Sequence, residues 1–461
     1  MTASASQNTY DVTAILDQGT WSGTQKMAVI LAALAIILDG FDGQLIGFAI
    51  PVLIKDWGLS SSSFAPVLAA GLVGMATGSV LGGYIGDRYG RRVALIFSVF
   101  LFGVTTSCIG LAPNLLTLGL LRFIAGLGIG GTLPAASTIA AEFTPMRSRA
   151  VSVTATIVCF PLGGMLAGFF SAYVLPNFGW RALFLCGGAI PVLFAVVLMV
   201  VIPESPRYLA RHSKRWSELA SLLQRFGTRT EPNAHFTDGT EQRSAGGVAD
   251  QKPGFGRLLE GSMARDTVAL WVAFFCCLFA IYSAFSWLPT VLTTAGFSPQ
   301  VAGAGLTAYN LGGVFGALGC AQLIARFGSR WPMIICAAGG AAMALLLKLV
   351  PNDQTNLLVF GLGLHGLFVN AVNCTLYAAS AFLYPTYIRA TGTATALAVG
   401  RFGAILSSFT GAALIAYSGP SAFLTFLGLA MIAVASALAV LRTHIPASLP
   451  STLKVGTAPG R

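Results

Sequence analysis

Four charged side chains lie inside long apolar runs of this 461-residue chain: Asp39, Asp42, Arg122 and Arg401. His365 is a further ionisable group in such a setting, and Glu142 stands near the end of another run. Each charge costs at least about 2.5 kcal/mol at the centre of a bilayer, so function is the first explanation to weigh. Asp39 and Asp42 are three residues apart, and a helix places such residues next to each other on one face. A carboxyl in an apolar cavity binds a proton more readily than one facing a guanidinium. Asp42 opposed to Arg122 is therefore expected to carry a proton, with the Arg contact switching its affinity and Asp39 in support. The competing account is a fixed ion pair that sets helix packing, but buried pairs are weak stabilisers. Arg401 offers a bidentate fork for a carboxylate. His365 suits donation or proton relay, and equally a satisfied place in the core. Glu142 is counted with the proton-coupling group, although its neighbours Arg147 and Arg149 also suit a charge network at the end of its span.

The elements that must position these residues follow from composition. Hydrophobic residues make up 55% of the chain and charged residues only 9%, against about 25% charged in soluble domains. Most of the surface therefore cannot face water. Apolar runs of roughly 20 residues recur from end to end, the length of a membrane-crossing helix, and lipid tolerates no irregular backbone. We place spans 1 to 12 at 27–50, 64–85, 93–112, 115–141, 150–175, 181–202, 268–295, 301–325, 332–350, 356–383, 391–417 and 420–442. At about 1.5 Å per residue, Asp42 lies roughly 22 Å into span 1. Arg122 lies roughly 10 Å into span 4 from the other side, so in a core of about 30 Å the two share a depth. The same arithmetic puts Arg401 and His365 near the midplane.

The segment 203–267 is polar and divides the chain into a first half, 27–202, and a second, 268–442. Residues 1–26 and 443–461 form tails. With the N-terminus inside, all but five of the 27 Lys and Arg residues fall in cytoplasmic segments. Lys55, Arg181 and Lys348 lie outside, and Arg122 and Arg401 lie within spans. This asymmetry puts both termini in the cytoplasm and explains the net charge of +11 without nucleic acid. The eight cysteines sit in apolar runs without metal-ligand spacing and read as small buried hydrophobes. No cleaved signal peptide is recognisable. Serine-hydrolase, HExxH and phosphate-loop arrangements are absent from the sequence, so an enzyme is not expected.

The halves echo each other. After span 2 comes Gly83-Tyr84-Ile85-Gly86-Asp87-Arg88-Tyr89-Gly90-Arg91-Arg92, and after span 8 Ala321-Gln322-Leu323-Ile324-Ala325-Arg326-Phe327-Gly328-Ser329-Arg330. Pro145 and Arg149 after span 4 match Pro385 and Arg389 after span 10. Two related six-helix halves with a midplane site are a recurrent transporter architecture. In the first loop, Asp87 with Arg88 and Arg91 is expected to hold neighbouring helix ends as a gate latch, Gly83 and Gly90 allowing close approach and a tight turn.

That loop resembles the signature of the major facilitator superfamily, with Ala325 replacing the acid in the second copy. Arg122 opening a glycine-rich span 4, Gly179-Trp180-Arg181 and Pro203-Glu204-Ser205-Pro206-Arg207 resemble its sugar-porter and aromatic-acid:proton symporter branches. Asp39-Gly40-Phe41-Asp42 and Gly400-Arg401-Phe402-Gly403-Ala404-Ile405 are similar to motifs of the aromatic-acid branch. Ser407-Ser408-Phe409 departs from the Gly-Pro that often follows there. The resemblance implies an all-α membrane protein of twelve transmembrane helices in two six-helix pseudo-repeats. It implies import of a small aromatic carboxylate into a bacterium by proton symport through the inner membrane. The alternatives are a proton-coupled sugar or polyol symporter, for which a second midplane arginine would be unnecessary, and another organic-anion transporter of the same fold. Protons are the coupling ion, no cofactor is implied, and the partners are the substrate and the bilayer. A monomer is expected to suffice.

Aromatic residues within spans, among them Phe41 and Tyr309, offer stacking for a ring substrate, and Asn370 and Asn373, one turn apart, offer polar contact. By the repeat alignment, the place of Arg122 falls in the second half near Leu362, and that of Arg401 in the first near Pro161. The asymmetry suggests proton coupling in the first half and anion recognition in the second.

Overall fold

The computed structural model describes residues 9–228, 230–231, 234–239, 258–351, 353–385 and 388–447. Of the expected tails and linker, residues 1–8, 229, 232–233, 240–257 and 448–461 lie outside the described residues. Among the described residues, eleven helices are long and apolar enough to cross a membrane. One of them, Met146–Val201, runs for 56 residues and is broken at Gly179, where φ is 77° and ψ 178°. Such a conformation belongs to glycine and to no helix, so this element supplies spans 5 and 6. The others are Gly23–Trp57, Ser61–Tyr89, Arg91–Ile109 and Leu115–Phe143 for spans 1 to 4, and Gly261–Thr294, Pro299–Phe327, Arg330–Leu346, Thr355–Leu383, Arg389–Tyr417 and Gly419–Val440 for spans 7 to 12. The fold is that of a twelve-span bundle.

The ends of the helices are set locally. Ser22 and Gln25 form a capping box at the start of span 1, the Gln25 Oε1 accepting from Ser22 N at 2.9 Å. Gly58 closes that helix with φ 63°. Asn114 caps span 4 by accepting from Thr117 N at 2.9 Å. Each cap satisfies backbone donors that a helix start leaves open.

By its internal packing the chain divides into two compact units. The first comprises Met1–Lys252, Tyr282–Leu311 and Ile405–Phe423, the second Pro253–Ile281, Gly312–Ala404 and Leu424–Arg461. In the first unit, spans 2 and 4 meet backbone to backbone. A Cβ on Gly74 or Gly78 would strike the carbonyls of Phe123 or Leu127, and one on Gly126 or Gly130 those of Gly71 or Met75. With no hydrophobic force between helices in lipid, such small-residue contacts supply the packing. Span 1 approaches span 5 in the same way at Gly40, against Phe160, and at Gly163, against Ile37.

The first unit also carries a small polar-side assembly. A strand β1, Thr9–Asp11, pairs in parallel with β2, His235–Thr237, with Tyr10 opposite Phe236. The helix Val12–Gln18 follows β1, capped by Asp11, which accepts from Thr13 N at 2.9 Å and from Gly239 N at 3.1 Å. Val12, Leu16, Leu209, Leu219, Leu222, Leu223 and Phe236 form its core. Asp238 accepts from Thr13 Oγ1 at 2.9 Å and from Arg211 Nη2 at 2.9 Å. Asp17 pairs with Arg149 and lies 3.9 Å from Arg207, which ties the assembly to the start of span 5.

In the second unit, span 8 meets span 10 at Gly312 against Gly363 and at Gly316 against Leu367. The segment after span 12 is fastened by Asp266, which accepts from Arg442 N at 3.2 Å and Thr443 N at 3.0 Å. Ser329 adds a second tie, its Oγ accepting from Ile445 N at 2.8 Å.

Candidate functional site: a buried charge pair beside a cavity

Span 1 turns both of its aspartates inward: Asp42 is fully buried and Asp39 is 2% exposed. Arg122 of span 4 is 6% exposed and is the charge that acts on Asp42, with the Thr106 hydroxyl of span 3 beside it. The two expected partners are thus brought together. They do not form a closed pair. Among the described residues neither Asp42 oxygen has a hydrogen-bond partner of normal geometry, and Arg122 Nε and Nη1 have none either. A buried guanidinium whose donors find no partner in the protein is costly unless another group meets them.

Arg122 also lines an internal cavity of about 30 Å³, together with Gln44, Met75, Phe160, Tyr282, Phe285 and Ser286. At roughly 10–15 Å³ per water this is room for two or three waters. One wall is a run of rings. Phe285 lies 6.1 Å from Phe160, and edge-on to Tyr282 and Tyr309 at 5.9 Å each. Edge-to-face rings at these distances attract, yet they slide and rotate more easily than backbone. Gly47 holds span 1 against the Phe285 carbonyl, so the ring wall stands directly beside the charge pair's own helix.

The remaining expected residues fall in several places. Phe41 packs on Phe170 at 5.4 Å and belongs to the contact of spans 1 and 5. Tyr309 is fully buried behind Phe285. In the second unit, His365 is 1% exposed and its Nδ1 lies 3.0 Å from the Gly340 carbonyl, the geometry of a core histidine donating to backbone. Asn370 donates to the Gly366 carbonyl at 3.0 Å, whereas Asn373 keeps a buried Oδ1 with no hydrogen bond. Arg401 is half-buried on span 11, between Gly400 and Gly403, which pack on Phe274 and Phe275. Glu142 joins neither Asp42 nor Arg122. Its Oε2 accepts from Ser205 Oγ, and its Oε1 lies 3.8 Å from Arg91 Nε.

The loop after span 2 differs in detail from expectation. Asp87 is 72% exposed at its side chain and pairs with Arg91 at 2.5 Å within its own turn, and Arg88 donates to Tyr84 Oη at 2.7 Å. Gly90 makes the turn, with φ 109°. A Cβ on Gly83 would meet nothing within 4 Å, so close approach does not explain that glycine. The acid that anchors the loop is Glu204, 2% exposed, accepting from Arg92 N at 3.1 Å and Ser205 N at 2.9 Å. Its carboxylate stands where a Cβ on Gly90 would be. Burial pushes the Glu204 carboxyl above the ordinary glutamate range, and its backbone hydrogen bonds pull the other way without cancelling that.

Two residues of the site carried no charge and escaped sequence reasoning. Gln44 of span 1 and Asn310 of span 8, both buried, exchange hydrogen bonds of 3.0 and 2.7 Å. A list of every amide within a span, beside the list of charges, would have found them. Among the described residues no cluster of three or more His, Cys, Asp or Glu side chains is able to hold a metal.

Comparison with known proteins agrees with this architecture. The sugar (and other) transporter family model matches residues 28–446. The gallate transporter of Pseudomonas putida is 34% identical over 433 residues, 94% of this chain and 94% of that protein. The 4-hydroxybenzoate transporter of Pseudomonas aeruginosa is also 34% identical, over 88% of this chain and 89% of that one. Among solved structures, the inward-open xylose transporter XylE of E. coli superposes with a TM-score of 0.72 at 18% identity, covering 91% of this chain and 97% of that one, and shows the common fold. The chain belongs to the sugar (and other) transporter family.

Proposed function

We propose that this transporter carries a small aromatic carboxylate, of the benzoate or hydroxybenzoate kind, inward across a bacterial cytoplasmic membrane together with protons. The observation that carries the reading is the Asp42–Arg122 arrangement: opposite charges buried together, without a hydrogen bond between them, beside an aromatic-walled cavity. Relatives named for gallate and 4-hydroxybenzoate support the substrate class. Asp42 is the proton carrier, Asp39 supports it, and Arg122 switches it. Two intramembrane guanidiniums, Arg122 and Arg401, are available to the substrate's carboxylate, and Asn373 offers polar contact in the second unit. Both termini face the cytoplasm, as the loop charges favour, and the loop held by Glu204 and Arg91 gates that side. A single chain contains both halves, so a monomer suffices. The chain is a transporter and not an enzyme, and the process needs no cofactor.

Reconstituted vesicles test this. An inward proton gradient should drive accumulation of labelled 4-hydroxybenzoate, competed by benzoate and not by glucose. Accumulation of glucose or xylose instead would move the chain to the sugar branch, and no accumulation of any aromatic acid would sink the reading.

A further inference from the structure

Arg122 faces two ways. One side meets Asp42 through charge alone, without a hydrogen bond, and the other borders the cavity. It is 6% exposed, and two of its donor nitrogens have no partner. We infer that Arg122 is the residue that receives the substrate's carboxylate, with Gln44 and Ser286 at the polar rim of the cavity and Phe160, Tyr282 and Phe285 as the shelf for the ring. This rests on the substrate being a carboxylate, and it assigns that group to the span 4 arginine instead of Arg401.

The geometry answers several demands at once. A bidentate carboxylate–guanidinium contact satisfies donors that the protein itself leaves open. The cavity beside Arg122 has space for the carboxylate, and the ring then needs side chains to yield: the aromatics of spans 5 and 7, not the backbone contacts of spans 2 and 4.

Coupling follows from charge balance. Asp42 and the substrate compete for one cation. With the site empty, Asp42 ionised and Arg122 charged leave the pair neutral. With the carboxylate on Arg122, Asp42, fully buried with the Thr106 hydroxyl beside it, has lost its counter-charge and takes a proton; the sum is neutral again. Substrate without proton leaves one net negative charge in the membrane interior, and proton without substrate one net positive charge. Both are penalised by the low dielectric. Only the empty and the doubly loaded forms are therefore favoured to reorient, which is one proton per carboxylate.

Equilibrium binding to the purified full chain separates this from a purely proton-switching Arg122. The probe is labelled 4-hydroxybenzoate, with acetate and hexanoate as aliphatic carboxylates. Asp42→Asn removes the competitor, so it should bind at least as tightly as wild type and take up no proton on binding. Adding Arg122→Gln to Asp42→Asn restores a neutral pair, which protects folding, and should weaken binding by about tenfold or more, the loss of a charge-assisted contact. Arg401→Gln should stay within about threefold. Unchanged affinity in the double variant, or a tenfold loss confined to Arg401→Gln, overturns the inference. If wild type binds only an aliphatic carboxylate, the aromatic reading falls while the Arg122 comparison still decides with that ligand. If it binds no carboxylate at all, both fall.

Discussion

The side-chain amides of Gln44 and Asn310 are bonded to each other twice, Gln44 Nε2 to Asn310 Oδ1 at 3.0 Å and Asn310 Nδ2 to Gln44 Oε1 at 2.7 Å. The pair joins span 1 to span 8 two residues beyond Asp42, and both members are buried. Replacing Asn310 with Ala strands the Gln44 amide, at a cost of about 1–3 kcal/mol. Thermal unfolding in detergent should show Asn310→Ala and Gln44→Ala each less stable than wild type, and the double variant less destabilised than their sum. Strict additivity would mean the two amides do not depend on each other.

Proton-driven accumulation should disappear in Asp42→Asn, while exchange of internal for external substrate persists, because exchange needs no net proton movement. Counterflow in vesicles measures this. Loss of counterflow with substrate binding intact would give Asp42 a role beyond the proton.

Packing of spans 2 and 4 sets a steric prediction. Gly126→Val places two methyls against the Gly71 carbonyl and Met75 backbone, which cannot retreat as a side chain can. The expected result is loss of folded protein, at a cost above the about 1–3 kcal/mol usual for overpacking. Size-exclusion profiles at equal expression check it. A monodisperse, active Gly126→Val would show that the two helices have room to part.

Glu204 makes stability depend on pH. Its folded-state pKa is raised by burial, so the folded form favours the protonated acid. That contribution is complete below the ordinary glutamate value of about 4.3 and is lost as pH rises through the raised value. Glu204→Gln keeps an oxygen to accept from Arg92 N and Ser205 N and removes the titration. Melting temperatures measured from acid to neutral pH should fall less steeply in Glu204→Gln than in wild type. Equal slopes would remove Glu204 from the balance.

The strand pair also has a local consequence. Leu16→Asp puts a charge into the core of Val12, Leu222, Leu223 and Phe236, where an unpaired charge is strongly disfavoured. Trypsin should then cut faster after Arg211, Arg215 and Arg225, with the spans untouched. An unchanged cleavage rate would show that the assembly does not depend on that core.

What the sequence disclosed follows the size of each physical signal. Asp42 and Arg122 stood out because charge in lipid is expensive, and their depths could be matched by counting residues. The twelve spans were readable for the same reason, down to the separation of spans 5 and 6, where Gly179 breaks a continuous stretch of helix. Gln44 and Asn310 were missed because an amide is cheap enough to pass unnoticed in an apolar run. Asp87 drew attention through its motif, yet the carboxylate that clasps the loop is Glu204, more than a hundred residues away; spacing alone does not reveal which of two acids a turn will face. β1 and β2 have three residues each, too few for any alternation to register, and their pairing is set by tertiary contact.

That strand pair has a meaning for synthesis. Asp11 and its donor Gly239 are 228 residues apart in the chain. The first strand leaves the ribosome before the first span, and its partner emerges only after six spans have followed. Until then β1 has no strand to pair with. Its docking therefore marks completion of the first half, and a tail still accessible to protease identifies a nascent chain that has not yet reached that point.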